Sequence, residues 1–317
     1  MVLKPERLRQ GDIIGVVAPA SAPADAASID LGLAALEGLG FKARPATNLR
    51  GRWGFLAGSD QERADDLMEM FSAPDVKGIF CFRGGYGTAR LLSRLDYDVI
   101  RSHPKVFVGY SDITSLHCAF LEKANLVSFH GPMLNSDFLK DNMPEFTRRS
   151  FLKCLMEASA PGSLCQGYRK KTVQVLATGI ASGPLVGGNI SILCASLGTP
   201  YQPPLSGAIL FIEDLNEEPY RFDRMLTQLL NAGLLQRVAG VAIGVNKNCR
   251  DPKAKRCTEY RQTLEDVLRE RLLPLKVPVV LGLPFGHVRY NATLPVGVTA
   301  VLDGDKGDLR IVEAAVT

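Results

Sequence analysis

The sequence predicts an α/β protein of two domains, the first organised on a parallel sheet and the second of more mixed construction. Three observations carry this. Short β-branched runs alternate with amphipathic segments through the first half, as βαβ units require. The chain has 317 residues, 46% of them apolar, which at roughly 100–200 residues per domain supplies two cores. A Pro/Gly/Ser-rich stretch over 158–185 breaks the helical pattern twice, dividing the chain into 1–160, a linker at 161–180, and 181–317.

In chain order, residues 13–18 read as a buried strand closed by Pro19. A helix follows, because Ile29, Leu33 and Leu36 share a face and Gly38 and Gly40 supply its stop. Ser59 and Glu62 have capping-box spacing ahead of Leu67, Met70 and Phe71, which starts a second helix. Then come a strand at 78–82, a glycine turn, a helix at 89–95, a strand at 105–108, a helix at 113–123 and a strand at 126–129. The second half offers a strand at 208–212, a helix at 221–230, a strand at 238–245, an amphipathic helix from about residue 258 to 272 and a strand at 279–281. Runs at 299–302 and 309–312, separated by a Gly/Asp turn, form a hairpin.

Composition excludes several functions. Lys and Arg number 37 against 33 Asp and Glu, a net charge of +4, so the chain is no polybasic nucleic-acid binder. The basic run 247–256 has no interleaved aromatics for base stacking and reads as a solvated loop. No stretch approaches the roughly 18 apolar residues of a membrane span, and residues 1–7 show no signal-peptide pattern, so a cytoplasmic address is expected. The seven cysteines are scattered, without a CxxC pair, and sit mostly in apolar runs. With four histidines and no HExxH, a metal site is not expected.

Ligand groups of open α/β sheets collect beyond the carboxyl ends of strands, which selects a short set of residues. Ser111 follows a strand in the order Gly109-Tyr110-Ser111-Asp112, a tight turn that suits a nucleophile and equally an N-cap. The second glycine of a G-x-S-x-G elbow is missing. A serine nucleophile needs a neutral imidazole and an acid to orient it. His287 and Glu213 each follow a second-half strand and are the best candidates, against readings as a turn histidine and a surface acid. His130 competes with His287, whereas His103 and His117 read as structural. The turn Arg83-Gly84-Gly85-Tyr86-Gly87 suits close approach of backbone N–H groups to an anion. It has neither P-loop nor G-x-G-x-x-G spacing, which favours an acyl oxyanion over a pyrophosphate.

Together these segments resemble the LD-carboxypeptidases of the peptidase S66 family, which also contains microcin-immunity peptidases. The likeness runs through Gly11-Asp12, Val17 to Ser21, Leu56 to Asp60, Arg63 to Leu67, Arg83 to Gly87, Gly109 to Asp112, His130 to Met133, Gly187-Gly188-Asn189, Phe211 to Asp214 and Gly286-His287. The resemblance implies a Rossmann-like N-terminal domain, a smaller β-rich swivelling C-terminal domain and a site in the cleft between them. It implies Ser111 as nucleophile, Glu213 as orienting carboxylate and His287 as general base. The N–H groups of Asp112 and Gly85 form the implied oxyanion hole, with Gly84 and Arg83 beside the substrate. It also implies no metal or organic cofactor, a homodimer, and release of the terminal D-alanine from murein tetrapeptide. Arg83, Arg221 and Arg289 are the candidates for the substrate carboxylate. The alternatives are an immunity-type peptidase cleaving a peptidyl nucleotide, for which the lone Trp53 marks no adenine platform, and a two-lobe binding protein without chemistry.

Overall fold

The computed structural model describes residues 2–139, 143–168, 172–251 and 262–317. The first lobe runs β1 (Ile13–Val17), α1 (Ala26–Gly38), β2 (Lys42–Pro45), α2 (Asp60–Ser72), β3 (Val76–Cys81), α3 (Tyr97–Ser102), β4 (Val106–Gly109), α4 (Thr114–Ala119), β5 (Ser128–His130) and α5 (Glu145–Met156). The second contributes β6 (Gly162–Ser163), β7 (Gln174–Ala177), β8 (Ile180–Asn189), α6 (Ile190–Ala195), β9 (Ile209–Glu213), α7 (Pro219–Asn231), β10 (Gly240–Gly244), α8 (Leu264–Leu272), β11 (Val279–Leu283), β12 (Leu294–Val296), β13 (Thr299–Asp303) and β14 (Asp308–Ile311).

The first sheet has the order β12-β5-β4-β3-β1-β2, parallel except where β12 joins antiparallel to β5. Helices cover both faces, and the alternation of β3 shows why. Phe80 and Phe82 meet Leu36 and Phe151 in one core, while Ile79 and Cys81 join Leu67, Met70, Phe71 and Leu116 in the other. The expected alternation of strands and helices is therefore realised as a doubly wound sheet, whose order reverses between β1 and β3.

The second sheet has the order β6-β14-β13-β8-β9-β10-β11-β7, with a parallel centre from β8 to β11 and antiparallel edges. It curls, so that Leu302 of β13 lies against Gly240 of β10. The hairpin expected at 299–312 is β13 with β14. Both β6 and β7 fall inside the segment 161–180, and β12 carries the chain back onto the first sheet. One core runs from Phe129 and Leu294 to Phe211 and Phe285, so the lobes share packing.

Several expected elements take another form. The helix read at 89–95 is two 3-10 turns, Thr88–Arg90 and Leu92–Arg94. The helix read at 113–123 opens as a 3-10 turn at Ser111–Ile113 and closes as a π turn at Phe120–Ala124. The α8 helix starts only after a capping box in which Thr263 and Asp266 exchange hydrogen bonds; residues 258–261 of the expected helix lie outside the described residues, as do 252–256 of the basic run. The short or polar pieces β2, β6, β7 and β12 have no alternation long enough to read. The six described cysteines are buried, and no helix among the described residues is long and apolar enough to cross a membrane.

Candidate active site

The carboxyl ends of the two parallel sheets meet. Thr114, at the start of α4, accepts the N–H of Asn189 through Oγ1 at 3.0 Å, joining the end of β8 to the turn after β4. Within that turn Ser111 has φ +65°, a left-handed conformation that a serine adopts at a cost of about 1–3 kcal/mol and that recurs at functional turns. Its N-cap reading is set aside by the structure, because Ser111 is the first residue of the 3-10 turn and the capping position belongs to Tyr110. Below it, buried His117 holds Gly109 O at 2.8 Å through Nε2 and pairs with Ser128 Oγ at 2.8 Å through Nδ1. Burial pushes the His117 pKa down to about 4, so this ring is a neutral strut.

The glycine turn presses onto the serine. A Cβ placed on Gly84 would sit 3.1 Å from Ser111 Cβ, which measures how near the two backbones run. Gly85 has φ +118°, and a Cβ there would meet Ser21 Oγ at 2.4 Å, so glycine is required. Ser21 Oγ in turn accepts the N–H of Tyr86 at 3.1 Å. The Asp112 carboxylate accepts the N–H of Thr88 at 2.9 Å, while Asp112 O accepts Thr88 Oγ1 at 2.6 Å. Arg63, buried, donates to Pro19 O at 2.5 Å, Gly87 O at 3.0 Å and Gly58 O at 3.2 Å, tying three loops together. Arg83 donates to Ala22 O at 3.0 Å and Gly84 O at 3.3 Å and has no ion pair among the described residues.

On the second lobe, Glu213 ends β9 with no solvent exposure, which overturns its reading as a surface acid. Its Oε2 lies 2.7 Å from Nδ1 of His287, whose side chain is 15% exposed. Burial opposes charging of that imidazole, but the hydrogen bond and charge of Glu213, with Asp214 and Asp137 behind, prevail and raise its pKa above the ordinary histidine value. The His287 ring stands edge-on to Tyr110, centroids 5.0 Å apart, next to Ser111 in the chain. Among the described residues neither Ser111 Oγ nor His287 Nε2 carries a hydrogen bond, and such contacts often form only with substrate bound. His130, the competing histidine, is fully buried among Tyr110, Phe211 and Phe285, and burial holds its pKa well below the usual value.

Arg221 pairs with Glu217 and Glu218, which lie just ahead of its helix, and Arg289 is exposed, whereas Arg83 belongs to the turn beside Ser111. Sequence reasoning missed Arg63 and the Asp214 cluster. Asp214 takes hydrogen bonds from Asn189 Nδ2 at 2.8 Å and Ser191 Oγ at 2.7 Å, bracing the ends of β8 and β9. The run Gly187-Gly188-Asn189 was the available signal for that brace. No three His, Cys, Asp or Glu side chains gather as metal ligands among the described residues.

Both halves match known sequence families: residues 14–131 the LD-carboxypeptidase N-terminal domain and residues 182–302 the LD-carboxypeptidase C-terminal domain. The probable murein peptide carboxypeptidase of Bacillus subtilis is 38% identical over 314 residues, covering 99% of this chain and 95% of the relative. The crystal structure of muramoyltetrapeptide carboxypeptidase from Oxalobacter formigenes superposes with a TM-score of 0.81 at 33% identity, covering 94% of this chain and 97% of that one. The microcin C7 self-immunity protein MccF in its apo state gives a TM-score of 0.88 at 27% identity, covering 99% of this chain and 100% of that one.

Proposed function

The chain belongs to the LD-carboxypeptidase family, and from that premise we propose that it is a serine carboxypeptidase releasing the terminal D-alanine of murein tetrapeptide by cutting an L,D peptide bond. The observation that carries the reading is the buried Glu213–His287 hydrogen bond lodged against Tyr110, beside a serine held at positive φ. Neither a binding protein nor an N-cap needs that combination.

In this reading Ser111 Oγ attacks the carbonyl carbon as His287 Nε2 removes its proton, and Glu213 holds the ring and stabilises the imidazolium. The N–H groups of Asp112 and Gly85 receive the oxyanion. The imidazolium then protonates the departing D-alanine nitrogen, and water, deprotonated by the same ring, hydrolyses the acyl-enzyme. Arg83 is the proposed partner of the substrate carboxylate, with Gly84 lining its path. The proposed division at 161–180 places Ser111 on one lobe and Glu213 with His287 on the other, so lobe geometry gates the proton transfer. A cytoplasmic address and a homodimeric state complete the proposal, the second tested by sedimentation at two protein concentrations.

The test is D-alanine release from murein tetrapeptide by Ser111→Ala. Turnover is expected to fall by about 10³-fold or more with the thermal transition retained. Near-normal turnover would overturn the assignment. MccF supports the alternative of an immunity-type substrate, and an aminoacyl sulfamoyl adenosine offered in parallel decides between them: faster cleavage of it than of the tetrapeptide reverses the order.

A further inference from the structure

Arg63 is the only buried arginine among the described residues, and its side chain lies wholly out of solvent in the first turn of α2. The placement is costly twice over: burial strips the guanidinium of water, and the positive end of a helix repels it. Asp60 answers one nitrogen, accepting Nη2 at 2.5 Å, and is itself held by Arg90. Fold stability alone is a poor reason for such a group, because a buried ion pair adds little over well-packed apolar side chains. Its remaining donors show another use.

Nε donates to Gly58 O at 3.2 Å, and Nη1 divides between Pro19 O at 2.5 Å and Gly87 O at 3.0 Å. Pro19 and Gly87 stand on opposite sides of the contact that shapes the glycine turn. Ser21, two residues after Pro19, accepts the N–H of Tyr86 through Oγ at 3.1 Å, and a Cβ on Gly85 would lie 2.4 Å from that same oxygen. Tyr86 in turn precedes Gly87. One nitrogen of Arg63 therefore closes a circuit that runs from Pro19 to Ser21, across to Tyr86 and on to Gly87. The fit is tight, since a Cβ on Gly87, at φ +126°, would lie 2.9 Å from Nη1. The N–H of Gly85 has no partner among the described residues, so the circuit beside it is what aims it. At the other end of the turn, a Cβ on Gly84 would lie 3.1 Å from Ser111 Cβ, so the aim is toward the nucleophile's side.

We propose that Arg63 is a positioning residue for the reaction, setting the Gly85 N–H toward the developing oxyanion by holding both walls of the 83–87 turn. The inference rests on the reading of Ser111 as an acyl-transfer nucleophile. A planar fork is what the position uses: three nitrogens serve four acceptors on four residues, whereas the donors of a lysine all leave one atom.

The test is a double-mutant cycle between Arg63→Lys and Gly85→Ala, read as kcat and KM for D-alanine release from murein tetrapeptide, with thermal unfolding of each variant. Arg63→Lys is expected to lower kcat by about 10–100-fold with KM within about twofold, since a misplaced donor weakens the transition state alone. In the Gly85→Ala background, where that donor is already displaced, the same substitution is expected to cost less than about threefold. A merely structural arginine would give the same factor in both backgrounds. That outcome, or wild-type kcat in Arg63→Lys, overturns the inference. Should Arg63→Lys not fold, Asp60→Asn, which keeps shape and releases Nη2, takes its place in the cycle with an expected loss of about three- to tenfold that vanishes in Gly85→Ala, and the same two outcomes overturn the inference. Near-normal turnover by Ser111→Ala instead overturns the catalytic reading on which it stands.

Discussion

The two halves of the site are built by different means. On the first lobe the backbone sets the geometry: Ser111 and Gly85 at positive φ, the Gly84 backbone against the serine, and Thr88 locked to Asp112. On the second lobe the side chains do the work, with an enclosed carboxylate and an imidazole held on β9 and the segment after β11 by contacts far apart in sequence. The Gly84–Gly85 turn has no room for an added Cβ, whereas the second half turns on the charge of Glu213 beside His287. Substitutions sort accordingly.

The largest effect is expected on the second lobe. Glu213→Gln preserves shape and removes the charge that orients His287, so kcat is expected to fall by about 10³–10⁴-fold. The sign of the pH change follows from the raised imidazole pKa: the base must be neutral, so wild-type activity declines on acidification through a value above that of an ordinary histidine, and the Gln variant declines at a lower pH. A pH–rate profile of both enzymes checks this. An unmoved acid limb would mean that Glu213 is only a packing group.

Gly85→Ala probes the first lobe without touching charge. The added methyl collides with Ser21 and moves the proposed oxyanion donor, for an expected loss of about 10²–10³-fold in kcat. If KM alone changes, the turn is a binding loop. Next comes Arg83→Gln, expected to raise KM about tenfold for the free tetrapeptide and to leave an amidated peptide unaffected, with Arg221→Gln and Arg289→Gln near wild type in the same assay. The smallest effect concerns stability. Ser111→Gly removes the proposed nucleophile and relieves the left-handed strain, so the variant is expected to lose activity yet unfold at a higher temperature, by about 1 kcal/mol of stability.

The same contrast explains what the sequence made legible. Ser111, Asp112 and the 83–87 turn lie within 30 residues and carry their geometry in local spacing, so the first half is readable from glycines and a strand end. Glu213 looked like one acid among Asp214, Glu217 and Glu218, and only β9 pairing between β8 and β10 shows that it is enclosed. The capping box at Ser59 was legible for the same local reason and is present in full. The 3-10 turns after β3 were not, because Thr88 is held by Asp112 through long-range bonds that override helical propensity. Likewise β12 crosses to the first lobe through three residues, too few for any period.

The proposed mechanism requires His287 to activate Ser111, and the most direct measurement is the rate of covalent labelling of Ser111 by a small fluorophosphonate, read by intact mass. One label per wild-type chain is expected, at Ser111, with labelling slowed by about 10²-fold or more in His287→Ala. Labelling of His287→Ala at the wild-type rate would contradict the proposed mechanism.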